Sequence, residues 1–367
     1  MEIHKIYNSY YPVTFLSQYE LLVYKRGSLY SLNLVNSKSI FICKIKIGFL
    51  TYLLSFFPLF VRIFRLTIRS SIEYKKESLL IFSFKKKIFE LNLKSFELSK
   101  GFDLKYSRPL NFEVIEGISN VKDGIYFGEY KSNPKKKPIS IYCRSGVDDW
   151  NIVYTFRNGT INHVHNIIAD NVNDIVYVLT GDFGDSAAIW CVHDNFHLLE
   201  SILKGEQNFR SCVAFPTLGG LIYATDSPFS KNSIRLLYKN EYSNWISTEI
   251  FKINGPCIYG VKFNNEFVFS TSVEGEGVSS KFLYNLFSIK RGSGIVDNFV
   301  CVYKGNLNIG FQLIHKSKKD KLHFLLFQFG VISFPNCLIE GKYLPMFEIG
   351  TINHNLSTVV LKNNMYE

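Results

Sequence analysis

The sequence predicts an all-β protein, a β-propeller of six blades or seven formed by residues 1–367 as one domain, with a helical insertion at residues 45–69. Three observations predict it. First, a degenerate phrase recurs: strand, polar turn carrying Asp or Asn, aromatic, strand. The fullest copy is Ile139–Phe156, turning at Asp148-Asp149-Trp150. Weaker copies turn at Asp194-Asn195-Phe196, at Asn244-Trp245, and, in the stretch Leu286–Phe299, at Asp297-Asn298-Phe299. The turn aromatics stand 46, 49 and 54 residues apart, the length of a four-stranded blade. Second, aromatics make up 16% of the chain, with 33 Phe and 22 Tyr, a composition that favours half-buried strands. Third, from residue 112 to 357 alternating segments are punctuated by Gly, Asn and Asp every 8–12 residues, with no Gly-Ser or Pro-rich linker to divide the chain.

The first strands are expected near residues 13–34, where Gly27 separates Leu21-Leu-Val-Tyr from Leu29-Tyr-Ser-Leu. The segment 45–69 breaks the pattern. Its uncharged run Ile47–Val61 is 15 residues, short of the ~20 a membrane span needs. Pro58 divides it, and Arg62, Arg65 and Arg69 follow at helical spacing. A kinked helix between the first and second blades is expected. It could pack on the propeller, lie in a membrane interface with its arginines toward anionic lipid, or meet a protein partner. Strands resume at 78–94 around Lys85-Lys86-Lys87, and the amino-terminal strand could close the ring against the last blade.

The net charge is +11, much of it in Lys85–Lys87, Lys135–Lys137 and Lys316–Lys319. Each run reads as a solvated strand-connecting turn, and together they favour an anionic partner. No helix-turn-helix or zinc finger accompanies them, which excludes the common nucleic-acid modules. The seven cysteines, at 43, 143, 191, 212, 257, 301 and 337, are odd in number and form no C-x-x-C, as a reduced compartment permits. Met1–Tyr7 leads into polar residues rather than an apolar core, so the expected location is cytoplasmic, peripheral at the inner membrane where 45–69 docks.

Chemistry-bearing residues gather between 126 and 232 and again near 271–277, at similar blade phase. Equivalent strand ends of successive blades converge on one axial mouth, so residues about fifty apart can share a pocket. His163 and His165 lie on one face of a strand and suit acid–base work, structural hydrogen bonding or a metal pair. No cofactor is assigned, and a metal at this pair is the one option left open, with His193, His354, Asp182 or Gln207 as a third ligand. Asp182 and Asp226 each end an apolar strand, as turn-formers or as carboxylates aimed into the mouth. Arg210 and Arg108 could grip a substrate carboxylate or form inter-blade ion pairs. Glu274 and Glu129 are candidate acids or bases. Gln207, Tyr130 and Asn232 complete the expected substrate-binding set.

Ser145–Trp150 resembles a shortened Asp-box, the Ser-x-Asp-x-Gly-x-x-Trp turn of sialidase-like propellers. The run His163-x-His165, Thr180-Gly-Asp182, Gln207-x-x-Arg210, Thr225-Asp226-Ser-Pro and Asn232 resembles bacterial sialidase-like propellers encoded with capsule or O-antigen genes. The likeness spans roughly residues 105–300. The sialidase arginine triad and its Phe/Tyr-Arg-Ile-Pro opening are not recognisable. The resemblance implies a glycan-linked propeller acting on an acidic surface polysaccharide as hydrolase or lyase. His163 and His165 would move protons, Arg210 would hold a carboxylate, and Glu274 or Asp182 would assist. The rival expectation is a non-catalytic glycan- or protein-binding scaffold at the membrane.

Overall fold

The computed structural model describes residues 1–104, 108–276 and 287–363. Seven four-stranded antiparallel sheets form the ring. Six are contiguous in sequence, and their innermost strands are Tyr11–Ser17, Ser70–Tyr74, Glu113–Ile115, His163–Asp170, Ser211–Thr217 and Cys257–Phe263. The seventh is shared between the chain ends: Val331–Ser333, Tyr343–Ile349 and Ser357–Lys362 are completed on the outside by Glu2–Asn8. That pairing closes the ring as expected and fixes the count at seven blades, the larger of the two expected. The last blade was hard to see because three of its strands lie at one end of the sequence and the fourth at the other.

Each blade runs from its inner strand outward, so every inner strand starts at the same face. That face also carries the connection from each second strand to the third, and from each outer strand to the next blade. We call it the mouth. The blades pack through alternating apolar faces, and the buried clusters run across blade boundaries rather than within single sheets. Gly128 marks one such approach: a Cβ there would lie 2.3 Å from Val164 of the next blade.

Three of the four copies of the repeat phrase are in phase. Trp150, Phe196 and Trp245 sit at the turn between third and fourth strands of blades 3, 4 and 5, on the face opposite the mouth. Phe299 instead opens the third strand of blade 6, and the equivalent turn there lies at 307–309. Leu286, the start of that copy, lies outside the described residues. The Ser145–Trp150 turn braces the neighbouring blade. Asp148, at φ 53°, accepts hydrogen bonds from Ser99 Oγ and Gly101 N of blade 2, and Trp150 is buried.

The insertion is two short helices, not one kinked helix: α1 (Phe49–Leu54) and α2 (Pro58–Phe64), with Pro58 opening the second as its first residue. Only Arg62 of the three arginines is helical. Arg65 caps α2 in the left-handed region, and Arg69 leads into the inner strand of blade 2. Arg62 is 1% exposed; it pairs with Asp320, and its Nε donates to Phe327 O at 2.6 Å. It thereby pins α2 to α3 (Phe324–Phe327) near blade 7. The Lys316–Lys319 run is also corrected. Lys316 and Lys318 belong to the outer strand of blade 6, and Lys319 is buried with its ammonium on Asp320. The seven cysteines are free thiols.

Candidate functional site

Every residue of the expected catalytic and substrate-binding set stands at the mouth; His193, considered as a third metal ligand, instead ends the third strand of blade 4 on the opposite face, 3.2 Å from Glu200. Glu129 and Tyr130 follow the second strand of blade 3. Asp182 follows the second strand of blade 4, and Asp226 that of blade 5. Glu274 lies just after the second strand of blade 6. Arg108, and Gln207 with Arg210, precede the inner strands of blades 3 and 5. His163 and His165 open the inner strand of blade 4, and Asn232 opens the third strand of blade 5.

One group is a buried polar cluster. His163 Nε2 and His165 Nε2 are 3.0 Å apart. Their Nδ1 atoms face Lys131 O at 3.0 Å and Ser211 O at 2.9 Å. Asp182 Oδ1 lies 3.4 Å and 3.7 Å from the two Nε2 atoms. The Tyr130 ring covers His163, with centroids 4.3 Å apart. Gly181 is required beside His165, because a Cβ there would stand 2.2 Å from its Cε1. The backbone of Asp182 is held on both sides: its N–H donates to Asn162 Oδ1 and its carbonyl accepts from Gln207 Nε2 at 2.9 Å.

Arg210 joins this cluster to the next carboxylate. Its Nη2 is 3.2 Å from Asp182 Oδ1 and 3.3 Å from Asp226 Oδ2. Asp226 Oδ2 also accepts from the Cys212 thiol at 3.3 Å. Burial works against the Asp182 carboxylate, but the adjoining imidazoles of His163 and His165, wherever one carries a second proton, and the charge of Arg210 outweigh it and hold its pKa well below the ordinary range. Burial pulls His165 down. Burial and the neighbouring Asp226 push Glu274 up to about 7; its Oε1 accepts from Ser272 Oγ at 2.6 Å.

The structure therefore joins His163, His165, Asp182, Arg210, Asp226 and Gln207 in one network. Arg210 is an inter-blade ion pair with two carboxylates. Asn232 is turned inward: Thr225 Oγ1 and Ser227 N donate to its Oδ1, and its Nδ2 donates to Ser227 O and Ser230 O, so it builds the 226–231 loop. Glu129 accepts from Ser140 N and lies 3.7 Å from Lys131.

Arg108 belongs to a second arrangement that sequence reasoning did not assemble. A cavity of about 730 Å³ beside the mouth is lined by Lys46, Arg65, Lys85, Lys86, Lys87, Arg108 and Lys131. Its single acid, Asp103, is paired with Lys87 at 3.0 Å. Tyr130, Phe64, Phe84 and Phe89 supply aromatic walls. Among the described residues, Arg65, Arg69 and Arg108 form no ion pair, and Arg69 stacks its guanidinium over Tyr130 at 5.0 Å. Burial, then Arg69 and Arg65, pull Arg108 down to about 9, as expected of cations gathered without a counterion. A sequence signal did exist: Arg69-Ser70 and Arg210-Ser211 are the same dipeptide at the same blade phase.

No protein-family model matches the chain, and no curated protein matches it. Solved structures do. The chain aligns over 99% of its length, at 8% identity and a TM-score of 0.56, with the β-propeller domain of Cps50 (Swd1) from Myceliophteria thermophila, covering 99% of that chain. The AfRom2 CNH domain is similar over 100% of this chain and 97% of its own, at 8% identity and a TM-score of 0.53. A chain of a Mitotic Checkpoint Complex structure is similar over 99% of this chain and 94% of its own, at 8% identity and a TM-score of 0.54. At such identities the likeness establishes the β-propeller fold and nothing finer.

Proposed function

We propose that this protein is a binding propeller for an acidic oligosaccharide or polysaccharide, held in the cation-lined cavity beside the mouth. The observation that carries the reading is the cavity itself: seven cationic side chains against one carboxylate, with aromatic walls. Its volume falls in the range of small-ligand sites, about 300–1,000 Å³. A carboxylated or sulfated sugar offers what such a lining requires, anionic groups for Arg and Lys and C–H faces for aromatic rings. Binding is preferred to cleavage on chemical grounds. A hydrolase or lyase would need His163, His165, Asp182 or Glu274 to reach a substrate proton, and those groups are engaged with one another, with Arg210 or with Ser272.

Titration calorimetry with a uronic-acid oligosaccharide and a neutral glucan of equal length tests this. The acidic ligand should bind and the neutral one should not, and Arg65→Gln/Arg108→Gln should weaken binding by at least ~10-fold, the loss of one charge-assisted contact. Equal binding of both sugars, binding of neither, or an unaffected double variant refutes the reading. Cleavage products appearing during the titration would restore the enzymatic alternative.

A second reading concerns where the propeller sits. Phe49, Leu50, Leu53, Phe56, Phe57, Leu59, Phe60 and Phe64 are all exposed on α1, α2 and the turn between them, more apolar surface than a solvated hairpin needs. Lys46, Arg65, Lys85 and Lys86 border them. An aromatic face rimmed by cations suits shallow insertion into an anionic membrane surface. No described helix is long and apolar enough to cross a membrane. The protein should co-sediment with vesicles containing phosphatidylglycerol more than with pure phosphatidylcholine. Phe57→Ser/Phe60→Ser should reduce that binding ~10-fold or more, the worth of burying roughly one aromatic ring. Vesicle binding that ignores the substitutions would remove α1 and α2 from the contact.

A further inference from the structure

The geometry points to a divalent-cation site of the zinc class at the mouth, with His163 Nε2, His165 Nε2 and Asp182 Oδ1 as its three protein ligands. The argument begins with the protons. Each histidine presents Nδ1 to a backbone carbonyl, Lys131 O or Ser211 O, and a carbonyl can only accept. The Nδ1 atoms therefore carry the hydrogens, and in the neutral rings both Nε2 atoms are left with lone pairs. These face each other at 3.0 Å, and a carboxylate oxygen lies 3.4 Å and 3.7 Å from them. Three acceptors this close repel unless something positive lies among them.

The distances state what fits. A circle through three points separated by 3.0, 3.4 and 3.7 Å has a radius of about 2.0 Å, and zinc bonds imidazole nitrogen and carboxylate oxygen at about 2.0–2.2 Å. One ion can thus contact all three atoms without moving them. Two imidazoles and one carboxylate form a borderline donor set that suits zinc over calcium or magnesium. The surroundings are those of a built site. The Lys131 and Ser211 carbonyls fix ring orientation, the role carbonyls play behind metal-bound histidines. Asn162 and Gln207 hold the Asp182 backbone. Asp182 is 28% exposed at its side chain, which leaves a path from solvent and a coordination position for water or ligand.

Charge adds an independent observation. Arg210 shares Asp182 Oδ1, and its charge opposes a second cation. Two carboxylates, Asp182 and Asp226, nevertheless share that one guanidinium. Asp226 is 3% exposed, and its Oδ1 has no hydrogen-bond partner. Buried anionic capacity exceeds the cations that answer it.

The competing arrangement is one proton shared between the rings. Full-length protein stripped with chelator and dialysed separates the two when titrated with Zn²⁺ against a chromophoric chelator, with elemental analysis alongside. One zinc per chain is expected. Affinity should fall at least ~100-fold in Asp182→Asn and in His165→Gln, each of which removes a ligand, and it should also fall in Gly181→Ala, which displaces the His165 ring. His193→Gln/His197→Gln, at exposed histidines elsewhere, should bind like wild type. Circular dichroism of each variant keeps loss of fold distinct from loss of ligand, and Asp182→Asn is the conservative case. Absence of stoichiometric zinc from folded wild type, or zinc retained in both Asp182→Asn and His165→Gln, overturns the site and leaves the shared proton.

Discussion

Arg62→Met should destabilise the protein by about 3–5 kcal/mol, the cost of removing one partner from a buried ion pair. Arg62 is among the most buried large side chains of the molecule and comes from the helical insertion, a segment the blades do not need for their own pairing. Its guanidinium reaches Asp320 and the Phe327 carbonyl, and Gln328 Nε2 returns a hydrogen bond to its own carbonyl. Burial works against the Asp320 carboxylate, and hydrogen bonds from Arg62 and Lys319 outweigh it and hold its pKa below the ordinary value. Without Arg62, Asp320 keeps Lys319 and the Leu322 N–H, both on Oδ1, while its Oδ2 and the Phe327 carbonyl lose the Arg62 donors. Chemical denaturation measures the loss, and limited proteolysis locates it: cleavage within 45–69 should accelerate before the blades open. Arg65→Gln, one turn on and exposed, should stay within ~0.5 kcal/mol of wild type. Equal stability of Arg62→Met and wild type would show that α2 is held by its apolar contacts alone.

The insertion also marks how far the sequence could be read. Its place between the first two blades and a break near Pro58 were legible, because chain-breaking chemistry is local, but the break separates two helices where a kink in one was expected. The arginine stripe was not. Periodicity placed Arg62, Arg65 and Arg69 on one face, yet the helix ends at Phe64, and the three side chains go to a buried ion pair, a cation-lined cavity and an aromatic ring. The His pair was legible for a similar local reason, since residues i and i+2 on a strand share a face. The partners of that pair come from connections 16 and more residues away, whose convergence depends on the ring. The misplaced fourth turn has the same origin. The connection between the second and third strands of blade 6 carries Gly, Ser, Asp and Asn in the order of a blade turn, and composition alone does not report phase. The Lys85–Lys87 turn was recognised as a turn. That it faces Lys46, Arg65 and Arg108 across a cavity follows only from the closure of seven blades.

Arg210→Met should cost about as much as Arg62→Met, roughly 3–5 kcal/mol, for a different reason. Among the described residues Arg210 is the cation that pairs with Asp226 and the permanent cation beside Asp182; Asp226 is buried and Asp182 is mostly so. Its loss strands them. Stability should be regained in part by Arg210→Met/Asp226→Asn, because the second change removes the stranded charge while Cys212 and its surroundings keep their shape. The cycle of the two single variants and the double should give a coupling of at least ~1 kcal/mol, and additive effects would mean that the pair contributes no net interaction. The same substitution reports on the cation site. Arg210 competes with a dication for Asp182 Oδ1, so Arg210→Met should bind zinc more tightly than wild type while being less stable without it. Added Zn²⁺ should then raise its denaturation midpoint more than that of wild type, since a ligand bound only by the folded state stabilises in proportion to the logarithm of its concentration over Kd. A purely structural Arg210 predicts the lost stability and no gain in zinc affinity; the two measurements on one variant separate an ion pair that only braces blades 4 and 5 from one that also sets the charge of a metal centre.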